Sequence, residues 1–191
     1  MPSSEPARTA LLAMDLQRRI VRRIDDAEPL LERIAAALAA ARDAGLTVVH
    51  VTIGFRPGHP EISPRNRTFA ALAESDAFTD GDDAAIHPAV APQGSDLVVV
   101  KRRVSAFAGS DLDVLLRARG VERLVLAGIA TSGVVLSTLR LAADLDFAVT
   151  VLSDGCADGD PEVDRVLKEK VFPRQADVVT VDDWVAGLPA A

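Results

Sequence analysis

Residues 124–135 read Leu124-Val-Leu-Ala-Gly-Ile-Ala-Thr-Ser-Gly-Val-Val135, an apolar run, a loop of small residues and a second apolar run. The first run has the composition of a buried strand, and residues 132–145 have the periodicity of an apolar helix. Such a loop brings backbone N–H groups towards a ligand at a helix N-terminus. The alternative is a plain strand-to-helix turn with Ser132 as its N-cap. The glycine spacing matches neither a dinucleotide fingerprint nor a P-loop, so no nucleotide cofactor is predicted.

The rest of the chain repeats this alternation of strand and helix. Short apolar blocks without polar alternation are typical of parallel strands covered on both faces. With right-handed crossovers, this alternation predicts a three-layer α/β fold. Its centre is a doubly wound, six-stranded parallel sheet with helices on both faces. We expect one domain over residues 1–191, with its core at about 8–185. The predicted strands are 9–14, 47–53, 96–101, 122–127, 147–152 and 177–181, and the predicted helices are 28–44, 110–119, 132–145 and 160–172.

Residues 54–94 are the irregular part of the chain, rich in proline and glycine, with a short helix predicted near 68–74. A long excursion of this kind inside a domain is usually functional. The segment is therefore predicted to form a lid or part of a subunit contact.

The composition limits the classes of partner. The formal net charge is −7, and the basic clusters carry no interleaved aromatic residues, so nucleic acid is not an expected partner. One cysteine excludes an internal disulfide and fits a reducing compartment. Neither a secretory signal core nor a membrane-spanning run is present in the sequence. We expect a cytoplasmic protein that acts on a small molecule and does not bind membranes.

Asp15 and Lys101 each end a predicted strand. The carboxyl ends of parallel strands share the edge of the sheet where ligands bind. Asp15 would there be a general acid or base, or else a cap of the turn. Lys101 would be a buried ammonium, or else one of three solvated cations with Arg102 and Arg103. If the first and third strands are neighbours, Asp15 is the obvious partner for a buried Lys101.

Four motifs together resemble the isochorismatase-like hydrolases of the cysteine hydrolase superfamily, over roughly residues 8–185. They are Asp15-Leu-Gln17, Lys101-Arg-Arg-Val-Ser-Ala-Phe107 with Ser110-Asp-Leu-Asp-Val-Leu-Leu116, Gly128-Ile-Ala-Thr-Ser-Gly-Val-Val135 with Ser137-Thr138, and Ser153-Asp-Gly-Cys-Ala-Asp158. The resemblance implies the same sheet and a triad of aspartate, lysine and nucleophilic cysteine. Carried over by position, the triad becomes Asp15, Lys101 and Val134.

Valine cannot attack a carbonyl carbon, so the usual acyl-enzyme mechanism of the family is not available. Cys156 matches a separate position, and Ser132 and Ser137 have no histidine nearby in sequence. The isochorismatases proper resemble this chain in lacking the thiol. In them an aspartate is thought to protonate a vinyl-ether carbon before water adds. Asp15 as general acid and Lys101 in support would suit that chemistry, and burial would hold Asp15 partly protonated near neutral pH.

The resemblance also implies a cis peptide at Ile129–Ala130 and an oxyanion hole built from N–H groups near Gly133 and Val134. Arg56, Arg102 or Arg103 are candidates to meet a substrate carboxylate. The predicted substrate-binding residues are Gln17, Phe107, Ile129, Ala130, Ser132, Gly133 and Val134.

No cofactor and no metal are predicted, because His50, His59 and His87 lack the spacing of a metal site. The apolar helix 132–145 and the segment 54–94 favour a homodimer or higher homo-oligomer.

Three hypotheses remain open from the sequence. The first is a hydrolase that uses Asp15 and Lys101 without a thiol on a small anionic molecule. The second is a catalytically degenerate relative that binds a small molecule or serves as a scaffold, which Val134 favours. The third is a thiol enzyme whose nucleophile has moved to Cys156.

Overall fold

Six parallel strands form the central sheet of the chain, which we describe from a computed structural model of residues 8–189. The strand order across the sheet is β3-β2-β1-β4-β5-β6. The strands are β1 (Thr9–Met14), β2 (Thr47–Ile53), β3 (Leu97–Lys101), β4 (Arg123–Ile129), β5 (Ala148–Ala157) and β6 (Asp177–Val179).

Helices cover both faces of this sheet. Buried side chains of α4 and α5 form one hydrophobic core on one face, and those of α2 and α7 form a second core on the other. The predicted three-layer α/β fold is thereby confirmed. No helix within residues 8–189 has the length and apolar character needed to cross a bilayer. The helices are α1 (Arg18–Val21), α2 (Glu28–Asp43), α3 (Arg67–Glu74), α4 (Leu112–Ala118), α5 (Leu136–Asp144), α6 (Pro161–Val166) and α7 (Val181–Ala186).

The strand order reverses between β1 and β4, at the centre of the sheet. In doubly wound folds the crevice beyond such a reversal is where ligands bind. Met14 at the end of β1 lies beside Gly128 in β4. Gly128 has φ +144°, and a Cβ atom at this position would lie 2.1 Å from the carbonyl oxygen of Met14. Only glycine allows the two strands to approach this closely where the site begins.

The predicted helix over 132–145 is interrupted near its start. Residues Thr131–Val135 form one wide π-type turn in which Gly133 has non-helical backbone angles, φ −96° and ψ −105°. α5 begins only at Leu136. Apolar periodicity reports which face of a segment is buried and does not report its hydrogen-bond ladder, so the sequence could not show this break.

Other boundaries differ less from the prediction. The helix predicted over 110–119 is shorter in the structure, where α4 begins at Leu112 with Asp111 at its N-cap position. The Ser110 hydroxyl accepts the Leu112 N–H at 3.3 Å. β5 continues through Ala157, well past the predicted end at residue 152. Its extension carries an acidic loop towards the end of β4.

Part of the irregular segment 54–94 is attached to the chain that follows β1. Ile86 forms an antiparallel bridge with Gln17, and the Arg18 N–H donates to the carbonyl of Ala85 at 2.9 Å. Another part forms a small buried aromatic cluster, in which the rings of Phe55 and Phe69 lie 5.8 Å apart. The proposed roles as lid or subunit contact stay predictions.

A buried ionic cluster fixes the amino end of β3. The Asp96 carboxylate accepts from Arg42 at 2.7 Å, from the Gln93 N–H at 2.9 Å and from His50 Nε2 at 3.1 Å. Burial opposes ionisation of Asp96, but these hydrogen bonds together hold its pKa below the ordinary 3.8. Burial lowers the pKa of His50.

Asp96→Asn is expected to reduce the free energy of unfolding by roughly 2–3 kcal/mol at pH 7, since charged hydrogen bonds are lost. Because the folded pKa of Asp96 is depressed, its charge stabilises the fold above pH 3.8 and this contribution is lost as pH falls further. The unfolding free energies of wild type and variant, measured in urea, should therefore differ at pH 7 and approach each other as pH falls from 3.8 through the lower folded pKa of Asp96. A difference that stays constant down to the lowest pH would contradict this account.

Candidate functional site

Asp15 and Lys101 meet at the carboxyl edge of the sheet. The Nζ atom of Lys101 lies 2.9 Å from Oδ2 of Asp15, and the two side chains are 1% and 9% exposed. From the sequence, this contact is expected if β1 and β3 are neighbouring strands. They are not neighbours, because β2 lies between them, yet the two side chains still meet. The long side chain of Lys101 crosses the end of β2 and also donates to the carbonyl of Arg103 at 3.0 Å.

Backbone geometry turns Asp15 out of the line of β1. Its φ is +56°, in the left-handed region that residues other than glycine seldom occupy, and its N–H donates to the Val51 carbonyl at 2.8 Å. Strained backbone of this kind clusters at functional sites.

The carboxyl group of Asp15 has one oxygen engaged and one unsatisfied. Oδ2 contacts Lys101, while Oδ1 is buried and has no hydrogen-bond partner within residues 8–189. Burial raises the pKa of Asp15 from 3.8 to about 6, and the charge and hydrogen bond of Lys101 limit that rise. The group can therefore take up and release a proton near neutral pH.

The loop after β4 supplies the other wall of the site. The peptide bond between Ile129 and Ala130 is cis. Val134 follows in the π-type turn, is 2% exposed, and packs into the core shared with α5. An apolar side chain thus lies where the resemblance places a thiol, and no nucleophile stands at this position.

Three N–H groups of this loop have acceptors within the protein. The Ser132 N–H donates to Oδ2 of Asp158 at 2.7 Å. The N–H groups of Gly133 and Val135 both donate to the carbonyl of Ala130, at 3.0 and 3.3 Å. These three donors are engaged within the protein, and an oxyanion hole built from N–H groups near Gly133 and Val134 stays a prediction.

Two carboxylates from beyond β5 hold the loop in place. Asp158 accepts from Ser132, and Asp164 of α6 accepts from the Thr131 hydroxyl. Lys168 donates to Asp164 at 2.6 Å and to the Cys156 carbonyl at 2.8 Å, which ties α6 back to β5. The sequence included Asp158 in a family motif without a role, and nothing in the pattern indicated Asp164.

The side chain of Gln17 bonds to the backbone of other segments. Its amide nitrogen donates to the carbonyls of Ile53 at 2.9 Å and Ala84 at 2.7 Å, and its oxygen accepts the Ile53 N–H at 2.9 Å. These bonds explain Gln17 as a clamp without any ligand. Its contact with a substrate stays a prediction.

The remaining predicted binding residues are divided between the site and the core. Ile129 is buried at the end of β4, Ala130 is half-buried, and Ser132 is exposed. The ring of Phe107 packs 6.0 Å from that of Phe147, just before β5, which accounts for its burial without a substrate. Contact of these residues with a substrate stays a prediction.

The three candidate arginines are engaged within the protein. Arg56 pairs with Glu61 at 2.6 Å, and Arg102 donates to the carbonyl of Gly54 at the same distance. Arg103 donates to the Glu61 carbonyl at 2.7 Å. A substrate carboxylate would have to compete with these partners.

Cys156 lies away from any reactive setting. The thiol is buried in the core beside α5, where it lies 3.8 Å from the Leu126 carbonyl and within hydrogen-bond reach of the Gly128 backbone. Burial raises the pKa of the Cys156 thiol to about 12, which the nearby charge of Lys168 only partly offsets. The hypothesis of a relocated nucleophile therefore has no support in the geometry.

Native protein is expected to resist alkylation by iodoacetamide at pH 8, since only the thiolate reacts and burial raises the pKa of the Cys156 thiol well above that pH. Mass spectrometry measures the extent of modification over time. Protein unfolded in urea is the control and should be modified fully at its one cysteine. Modification of the native chain at the rate of a free thiol would restore Cys156 as a candidate.

A cavity of about 420 Å³ lies at the opposite edge of the sheet. Trp184 lines it together with the first residues of three strands, Thr9, Arg123 and Ala148. Ligands of doubly wound folds bind beyond the carboxyl ends of the strands. We therefore assign the site from the Asp15–Lys101 pair and not from this cavity.

Comparison with known proteins shows the family of the chain. The isochorismatase domain model matches residues 9–183. The ureidoacrylate amidohydrolase RutB of Stutzerimonas stutzeri is 32% identical over 95% of this chain and 80% of its own length. RutB of Variovorax paradoxus is 35% identical over 88% of this chain and 72% of its own.

Solved structures share the fold over nearly the whole chain. An isochorismatase family protein from Burkholderia thailandensis has a TM-score of 0.83 and 31% identity, covering 95% of this chain and 96% of that protein. N-carbamoylsarcosine amidase from Thermoplasma acidophilum has a TM-score of 0.74 over 92% and 97% of the two chains, and its 23% identity shows the fold alone. The match over residues 9–183 makes this chain a member of the isochorismatase family, a family of hydrolases.

Proposed function

We propose that this chain hydrolyses a small anionic molecule by acid catalysis from Asp15, supported by Lys101 and without a covalent intermediate. The observation that carries the proposal is the unpartnered, buried Oδ1 of Asp15 in a carboxyl group with pKa of about 6. A buried acid matched to neutral pH is what general acid catalysis requires. Val134 leaves no thiolate for the alternative route of nucleophilic catalysis.

Vinyl-ether hydrolysis fits this arrangement. Asp15 donates its proton to the terminal carbon of the C=C bond, and the carbon that bears the ether oxygen becomes an oxocarbenium ion. Water adds to that carbon and returns a proton to Asp15. The hemiketal then collapses to a carbonyl compound and an alcohol, so the balance is the addition of one water molecule.

Three N–H groups of the loop are not free to stabilise an anionic intermediate. A tetrahedral oxyanion needs free N–H donors, and those of Ser132, Gly133 and Val135 are engaged. The carboxylate of Asp158 adds negative charge beside the same turn. Carboxylates near a developing positive charge lower its energy instead.

The second candidate is a degenerate relative that binds a small molecule or acts as a scaffold. The apolar Val134 favours it, since this side chain fills the position where the family usually places its nucleophile. Such a protein would bind a ligand without turning it over.

A substrate panel in deuterated water separates these functions. Isochorismate and simple vinyl ethers are compared with ureidoacrylate and simple amides, and mass spectrometry follows the products. Carbon protonation places deuterium on carbon in the product of a vinyl ether, which hydrolysis of a simple amide cannot do. Ureidoacrylate is scored by cleavage of its C–N bond alone, because the enamine that it releases also takes up deuterium on carbon. Turnover of amides alone would overturn the proposal, and binding without turnover across the panel would favour the degenerate relative.

A further inference from the structure

Thr138 is a buried polar residue of α5 that the proposed reaction does not use. Its side chain is fully buried, and its hydroxyl oxygen accepts the N–H of Ala106 at 2.9 Å. Ala106 is equally buried and lies in the β3–α4 loop, which we define as residues 102–110. A buried N–H needs an acceptor within the protein, so this bond fixes the middle of the β3–α4 loop to α5.

The β3–α4 loop is closed at its neck. The Arg102 N–H donates to the Ala108 carbonyl at 3.1 Å. Gly109 packs against the same residue, since a Cβ atom at Gly109 would lie 2.7 Å from Cβ of Arg102. A loop closed in this way shifts as a unit, so a displacement at Ala106 also moves the residues that follow Lys101.

The β3–α4 loop supplies the second partner of the Lys101 ammonium. Nζ contacts Asp15 at 2.9 Å and donates to the Arg103 carbonyl of the loop at 3.0 Å. The Lys101 side chain is 1% exposed, so bulk water does not replace a lost acceptor. A buried charge depends on such partners for its position and its stability. The Arg103 carbonyl therefore helps to determine where the ammonium lies.

Thr138 joins the two walls of the site. It lies four residues after Val134, which belongs to the π-type turn beyond β4, whereas its partner belongs to the loop beyond β3. Arg102 and Arg103 attach the same loop to segment 54–94 instead. The bond of Thr138 thus ties the loop to the helix that packs on the sheet.

We propose that Thr138 is a positioning residue, which keeps the Lys101 ammonium at Asp15 by holding the β3–α4 loop against α5. Without the hydroxyl, the Ala106 N–H is left buried and unsatisfied, and the loop shifts to find an acceptor. The Arg103 carbonyl then moves away from Lys101. The proposal rests on the acid catalysis proposed above for its catalytic consequence, whereas the contacts themselves need no substrate.

The protonation of Asp15 reports the position of the ammonium. Burial raises the pKa of Asp15 to about 6, and the charge and hydrogen bond of Lys101 limit the rise. Other charges near the site have partners of their own. Arg102 and Glu61 pair at 3.5 Å, and Asp158 accepts a backbone N–H of the loop after β4. A displaced ammonium should therefore raise the pKa of Asp15 further.

Carbon-13 NMR titration of the Asp15 carboxyl group tests this without a substrate, and Asp15→Asn assigns its signal. Thr138→Val keeps the side-chain shape and removes the acceptor, so the midpoint should rise by about 0.5–1 pH unit. Thr138→Ser keeps a hydroxyl and should titrate as the wild type does. Thr150→Val is the matched control, because it makes the same change in β5, beside Val125 of β4. Its midpoint should stay unchanged.

Circular dichroism checks that every variant is folded. If Thr138→Val does not fold, Thr138→Ala takes its place, since it removes the acceptor without setting a methyl group against the N–H. An unchanged midpoint in the folded variant, or an equal shift in Thr138→Ser, would overturn the proposal. A wild type that does not titrate near pH 6 would contradict the proposed acid catalysis, while the difference between variants would still decide the role of Thr138.

Discussion

Asp15→Asn is expected to lower kcat/KM on a turned-over vinyl ether by roughly 10²–10⁴-fold, the usual contribution of a positioned general acid. Asparagine keeps the shape of the side chain, but its amide N–H is too weak an acid to donate the proton. Steady-state kinetics measures the loss, and urea unfolding shows whether the variant is folded. Full turnover by folded Asp15→Asn would end the acid-catalysis mechanism.

The pH dependence of kcat/KM in the wild type is a second test of acid catalysis by Asp15. Catalysis needs protonated Asp15, so kcat/KM should fall about tenfold per pH unit above the pKa of about 6. Lys101→Met should move this limb to higher pH, because the charge and hydrogen bond of Lys101 lower the pKa of Asp15. A limb that does not move would show that another group titrates.

Gly128→Ala is expected to cost roughly 3 kcal/mol or more of unfolding free energy, since overpacking and backbone strain act together. The new Cβ atom would lie 2.1 Å from the carbonyl oxygen and 2.9 Å from the carbonyl carbon of Met14. Both are backbone atoms of a central strand and cannot rotate away. Urea unfolding measures the effect.

Gly159→Ala is the matched control for this substitution. Gly159 has no left-handed φ, and a Cβ atom there would meet nothing within 4 Å. Its stability should stay close to wild type or rise slightly, because alanine restricts the unfolded chain. A Gly128→Ala variant as stable as this control would show that β1 and β4 can separate without penalty.

The architecture could be predicted because it depends on local patterns. The apolar runs that became β1 and β2 were predicted with the bounds that the structure shows, Thr9–Met14 and Thr47–Ile53. Parallel strands buried on both faces leave a continuous apolar signal, and alternation with helices leaves few topologies. Helix ends were harder to predict, since the helix expected from residue 110 begins at Leu112 and a cap depends on one hydrogen bond.

Only the site residues that lie at the ends of strands could be predicted from the sequence. Asp15 and Lys101 were found because polar side chains directly after apolar runs are conspicuous. Their contact across β2 depends on the reach of one side chain, which no pattern encodes. Asp164 was missed because its bond to Thr131 joins residues 33 positions apart, with no periodic signal.

The clamp at Gln17 has a consequence for how relatives of this chain can diverge. Its three bonds all end on main-chain atoms, those of Ile53 and Ala84. Main-chain partners survive almost any replacement of the side chains that they carry. The side chains of residues 54–94 can therefore change in relatives while the anchorage of this segment at the Ala84 carbonyl is kept.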